Sequence, residues 1–498
     1  MTDKPSKDPS SASPLELFDM GSSYRTELSG LSDFEKELHL LRLSAEKGYP
    51  QAQYQLSVIL REGDGVEINL EESLKWLIKA AEAELPEAEH DLGDAYVTGQ
   101  PYGKKDVLEG TDLFLKSALH GYPKALFKLG VFHHLEDESE KAQAKAVSYW
   151  RLAAEKGYDE AQFYLGKAYV LGRGVTKDPA KAIENWLLAA AQGHLNAQLS
   201  VAKAFFYGEG VKQDLDLAVK YTRLAADQGH APTQLAMAQF YLNGYGVKQD
   251  LDQAVKYTRL AADQGFPEAQ HTLAKLYRGG HGVKQDYEQS LKLLRLAADQ
   301  GHPGAQYLLG QSYYFARGTQ KDISQAVKYT RLAADQGFSD AQSFLAVLHH
   351  AGEGVKQDFD LAFKLWHLAA EQGELKALNV LGQSYQYGDT VKKDMAKALK
   401  YWRLAADQGD PDAQYSLAMI HYLGEDVEKD LDQALKLFKL AADQDMPYAH
   451  VALAQVYSNG KGVQKDMRLA VKHLERAAQL GLEEASQALP GFRAQLDD

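Results

Sequence analysis

The chain has 498 residues, 45% hydrophobic and 25% charged, with 55 Lys+Arg against 69 Asp+Glu and a formal net charge of −14. That apolar content excludes a disordered chain, and the absence of cysteine excludes disulfides, thiolate metal sites and cysteine nucleophiles. The acidity opposes binding to nucleic acid, and no stretch approaches the ~20 consecutive apolar residues that span a bilayer, so neither nucleic acid nor membrane insertion is expected.

Met1 to Ser13 is polar and carries Pro5 and Pro9. It lacks the apolar core of a secretory signal, and residues 1–12 read as a disordered tail. The expected location is therefore the cytoplasm, with export by a specialised secretion system left open. Residues 13–48 read as a degenerate N-terminal capping unit, because Pro14, Met20, Gly21, Tyr24 and Asp33 fall where later units carry Pro, Leu, Gly, Tyr and a capping Asp.

Length alone suggests about three globular domains. Self-similarity overrides that prior. Gly48, Gly121, Gly157, Gly193, Gly229, Gly265, Gly301, Gly337, Gly373, Gly409 and Gly481 each close a run resembling L-A-A-x-Q-G, and those from Gly121 to Gly409 stand 36 residues apart. Glu84 and Asp445 hold the two missing lattice points, which makes residues 49–481 twelve units of 36–37 residues.

Each unit reads as two helices. In the copy from Phe266 to Gly301, Pro267 suits a first helical turn, and Ala269, Leu273 and Tyr277 recur every four residues on one face. Gly279, Gly280 and Gly282 break that helix, Asp286 is placed to N-cap the second, and Gly301 ends it. The aspartates at the same lattice point, among them Asp178, Asp322 and Asp466, read as caps rather than as metal ligands. Two loops depart from the pattern: 100–105, which carries an inserted residue, and 136–141, which replaces the glycines with acidic residues. They read as tolerated loop changes or as contact points. Residues 482–498 form a C-terminal capping half-unit and tail, in which Pro490 is expected to stop the last helix.

The recurring A-x-x-x-L-G-x-x-Y, G-x-G-V-x-x-D, A-x-x-W/Y and A-A-x-x-G resembles Sel1-like repeats, relatives of the tetratricopeptide repeat. One copy matches at Ala161, Leu165, Gly166, Tyr169, Gly172, Gly174, Val175, Asp178, Ala182, Trp186, Ala189, Ala190 and Gly193. The fold class expected is all-α, a right-handed α-solenoid of antiparallel helix pairs, monomeric in itself. The resemblance implies a non-enzymatic scaffold or adaptor for one or more protein partners, of the bacterial signalling, envelope-assembly or host-contact kind. An inhibitor or immunity protein wrapping a single toxin or enzyme is the alternative, and a hydrolase ranks last.

No catalytic constellation, cofactor site or metal site is read from the sequence. The glycine loops lack G-x-x-x-x-G-K-S/T, and the adjacent pairs His133-His134 and His349-His350 point about 100° apart on a helix, a poor chelate. His133, His349 and His421 stand where other units carry Tyr and read as core rings.

Counting from the glycine that ends the previous unit, first-helix positions 4, 8 and 12 are core, while 3, 7, 10 and 14 point away. The resemblance implies that this outer face lines a concave surface. Tyr164, Lys167, Lys203, Tyr207, Lys275, Gln311, Phe315, Phe344, Gln383 and Tyr387 occupy it, and Phe206, Arg278, Tyr314 and Tyr422 sit at its edge, at position 13. Aromatics with Lys, Arg and Gln suit a polypeptide partner. The lysines would favour an acidic or carboxylate-terminated segment.

Overall fold

The repeats are pairs of antiparallel helices, joined by a glycine loop except between Pro123–Glu136 and Glu140–Glu155. A computed structural model describes residues 9–24, 31–136, 138–388, 391–424 and 427–496. Among these, 27 α-helices and no strand occur, and within each of the two units consecutive helices pack on one another in chain order. The chain divides into two units, Met1–Asp250 and Leu251–Asp498.

The caps explain why the elements begin and end where they do. Asp178, Asp214, Asp286, Asp322, Asp358, Asp394, Asp430 and Asp466 each accept a hydrogen bond from a backbone N–H in the first turn of a second helix. Their own backbone N–H groups return to the end of the first helix, as from Asp286 to the Tyr277 carbonyl at 2.9 Å. One carboxylate oxygen of each is thereby engaged with a helix start, as the capping reading expects.

The second glycine of each G-x-G has a packing reason as well as a conformational one. At Gly282, φ is +68°, and a β-carbon would come within 2.7 Å of the Leu251 carbonyl oxygen of the preceding repeat. Within a pair, Gly166 and Gly382 make room for the indoles of Trp186 and Trp402. Alanines at the paired second-helix sites, such as Ala261 and Ala262 or Ala333 and Ala334, are buried.

The glutamine of A-A-x-Q-G bonds a second glutamine of its own repeat, which in turn reaches the repeat before it. Gln300 Nε2 donates to Gln270 Oε1 at 3.0 Å, and Gln270 Nε2 donates to the Ala262 carbonyl at 3.4 Å. The same relay recurs at Gln192–Gln162, Gln336–Gln306, Gln372–Gln342 and Gln444–Gln414. A buried amide with both ends matched carries no desolvation penalty, so the register between repeats is specified as well as packed.

Three expectations change at the ends. Pro9–Ser11 form a 3-10 turn and Ala12 is buried, its carbonyl accepting Lys47 Nζ at 2.7 Å, where a disordered tail was expected; residues 1–8 lie outside the described ones. The segment expected as a capping unit holds the helices Pro14–Ser22 and Leu31–Glu46, but Asp33 falls inside the second helix rather than at its cap, while residues 25–30 lie outside the described ones. The last helix, Glu483–Ala494, passes through Pro490, because Leu489 and Phe492 pack onto Ala454, Leu474 and Ala477 and hold its final turn. Residues 497–498 lie outside the described ones.

Of the deviant loops, 100–105 places the Tyr102 hydroxyl 2.9 Å from Ser73 Oγ and its ring against the Leu77–Tyr96 cluster. In the other, Ser139 caps Glu140–Glu155, a 16-residue helix where the second helices of the other eleven repeats have 12 or 13, and Asp137 lies outside the described residues.

Candidate protein-binding grooves

In the second unit, first helices Pro303–Tyr314, Ser339–Ala351, Leu375–Tyr387 and Pro411–Leu423 present consecutive turns to one groove of about 780 Å³. Its apolar lining comes from Phe315, Phe344, Val347, Val380, Tyr387 and Tyr415. Phe315 and Tyr387 are 49% and 70% exposed, while Phe344 is half-buried between them and the core. Phe344 meets Tyr314 edge-on at 5.3 Å and stacks on Phe315 at 6.4 Å. Gln311 and Gln383 complete this wall.

The polar lining is mostly acceptors. Asp340, Glu374 and Asp412 stand against the single ammonium of Lys376. Burial and the nearby Asp410 raise the Asp412 carboxyl, and burial together with the fields of Asp340 and Glu374 pushes the Tyr307 phenol up to about 12. Tyr307 accepts from Gln311 Nε2 at 2.6 Å, and Gln311 Oε1 accepts from Arg278 at 3.1 Å. Arg278 is therefore joined to this wall by hydrogen bonds although it does not line the groove.

The other expected residues of this unit lie apart. Lys275 is exposed and does not line the groove. Tyr422 packs edge-on against Phe438 at 6.1 Å, so its ring supports the helix pair. The Tyr314 hydroxyl donates to Glu353 at 2.5 Å.

In the first unit, Tyr164 is wedged between Phe127 at 5.2 Å and Trp150 at 5.4 Å, with Lys167 Nζ 5.1 Å from its ring centre. Phe206 stacks on Phe240 at 5.5 Å and meets Tyr207, which is 64% exposed. Lys203 lies 3.9 Å from Glu209 on the surface. A groove of about 540 Å³ lies elsewhere in this unit, lined by Phe18, Gln51, Tyr54, Gln55, Glu87 and Tyr122 among others. Beneath it, Asp91 accepts from Tyr54 at 3.0 Å and lies 3.0 Å from His90 Nδ1; burial opposes its charge, but these bonds outweigh it and lower the carboxyl.

The histidine readings agree with the packing. His349 is buried, and His133 stacks on Tyr149 at 5.7 Å with an interplanar angle of 9°. Among the described residues no group of three metal-ligating side chains comes together, and no helix is long and apolar enough to cross a membrane.

The Sel1 repeat profile matches twelve consecutive segments, running without a gap from 50–85 through 447–482. The chain belongs to the Sel1 repeat family. It is 30% identical to a solved protective antigen of uropathogenic Escherichia coli strains with an SLR fold, covering 92% of this chain and 90% of that one at a TM-score of 0.60. A Sel1 repeat protein from Oxalobacter formigenes is 33% identical, covering 62% of this chain and 89% of its own at a TM-score of 0.54. Chitin synthase regulatory factor 2 of Schizosaccharomyces pombe is 30% identical over 140 residues, which is 26% of each chain.

Against the Sel1 repeat lattice, the sequence reading missed one position. Position 6 supplies Tyr307, Ser343, Asn379 and Tyr415 to the larger groove and Tyr54 to the smaller. It also zips repeats together by meeting position 1 of the next, as Phe163 meets His194 at 4.8 Å and His271 meets His302 at 4.6 Å. Its variable but often aromatic occupancy was a signal available in the sequence. The carboxylates at position 3, Asp340 and Asp412, were on a face already identified but were not singled out.

Proposed function

We propose that this Sel1 repeat protein is a non-enzymatic scaffold or adaptor that holds polypeptide partners against the first-helix face of its repeats. The observation that carries the reading is the groove lined by four successive first helices, with half-exposed aromatic rings on a rigid helical wall. Such rings lose little conformational freedom on binding and supply most of the energy of an interface. Repeat packing already stabilises the wall, so binding does not have to order it. The name of the yeast relative, a regulatory factor, fits a protein that works through another protein.

The test is affinity capture with the intact chain and with the combined variant Tyr207→Ala, Phe315→Ala, Phe344→Ala and Tyr387→Ala. Recovery of stoichiometric partners is expected to fall about tenfold or more, the loss of one or two hot-spot rings. Equal recovery would move the binding surface off this face.

A further inference from the structure

The chemistry of the second-unit groove selects among polypeptides, an inference that rests on the scaffold reading above. Asp340 and Asp412 are exposed, and among the described residues neither forms an ion pair. Asn379 Nδ2 donates to Asp410 at 2.9 Å, which fixes the amide orientation and leaves Asn379 Oδ1 buried without a partner. Asp410 itself is occupied, since it also accepts from the Ala413 N–H at 2.8 Å. The groove therefore offers an unmatched acceptor and two unpaired carboxylates beside an apolar floor; its carboxylates, Asp340, Glu374 and Asp412, outnumber the one Lys376 ammonium in the lining, so an acidic segment placed there would meet mainly like charge.

We propose that this groove takes a polypeptide segment in which arginine or lysine neighbours an apolar or aromatic side chain. The cation meets Asp340 and Asp412, a donor from the segment satisfies Asn379 Oδ1, and the apolar side chain fills the floor at Phe315, Phe344 and Tyr387. Arg278, held by Gln311 beyond the opposite end of the groove, repels that cation and so sets the direction of the bound segment. This reverses the expectation of an acidic partner drawn from the lysines, because none of Lys167, Lys203 and Lys275 lines the groove.

The experiment titrates the full chain with three fluorescein-labelled peptide pools of equal length and aromatic content, carrying Arg/Lys, Asp/Glu or Ser/Gln at the remaining positions, read by anisotropy at low and high salt. The basic pool is expected to bind about tenfold more tightly than the acidic one, with a preference that shrinks in salt. Asp340→Lys with Asp412→Lys should reverse the preference, and the milder Asp340→Asn with Asp412→Asn should level it, both with unchanged circular dichroism. Equal or tighter binding of the acidic or neutral pool, an unaltered preference in folded Asn variants, or no binding by any pool overturns the proposal. If capture of natural partners still depends on Phe315, Phe344 and Tyr387 in that event, the scaffold reading stands and only the ligand chemistry fails.

Discussion

Single residues in this protein do their work by being matched to a partner in their own repeat or the next one. The capping aspartates and the glutamine relay show this for polar groups, and the paired histidines show what happens when the match is ring on ring. His271 stacks on His302 and His473 faces His450 across 3.0 Å, and burial followed by the neighbouring ring brings His271 and His473 down to about 4. In the unfolded chain both titrate near ~6.5. The folded form thus refuses protons that the unfolded form accepts, so this contribution is complete above that value and is lost as pH falls toward 4. The urea midpoint, followed by circular dichroism, should drop between pH 7.5 and 5.0, and should drop less in His271→Gln with His473→Gln. An identical drop in that variant would show that acid acts elsewhere.

At the scale of elements, each helix pair is amphipathic on two sides and needs a neighbour on both. Inside the array the neighbour is another repeat; at the C-terminal end it is the single helix Glu483–Ala494, which lays Leu489 and Phe492 over Ala454, Leu474 and Ala477. Ending the chain at residue 482 should therefore destabilise the last pairs by about 3 kcal/mol, the burial of one or two large side chains, and should promote self-association through the bared face. Thermal melts and light scattering check this, and a monomer with an unchanged Tm would contradict it. The proline inside that helix is the instructive local conflict: intrinsic preference ends the helix at Pro490, and packing beyond it outweighs the one hydrogen bond Pro490 cannot make.

Over the whole molecule, stability is close to a sum of repeat and nearest-neighbour terms, because each pair touches mainly the next. A lesion should stay local. Gly282→Ala combines a left-handed backbone with a contact against Leu251, a strain of about 1–3 kcal/mol. Hydrogen exchange should then quicken in Leu251–Asp263, Pro267–Gly279 and Tyr287–Asp299 and stay at the wild-type rate in distant repeats such as those of residues 50–194. Uniform loss of protection would mean that the array unfolds as one cooperative body. The same additivity separates binding from folding: exposed rings such as Phe315 and Tyr387 can be removed with little effect on the stack.

The period, the helix pairs, the caps and the family were legible in the residues themselves, because each is a short-range pattern restated twelve times. Gly282 and Asp286 announce a turn and a helix start without reference to anything distant. The first-helix face was also legible, since helical geometry separates core positions from outward ones. What the sequence left open is which outward positions converge. Phe315, Phe344 and Tyr387 line one groove, whereas Tyr164 and Tyr422, at equivalent or adjoining lattice positions, are packed against their own core. Asp340, Asp412 and Asn379 come from separate repeats, so the acceptor-rich character of that groove exists only once the repeats are stacked. Local periodicity decides each pair, and the packing of one pair on the next decides the chemistry between them.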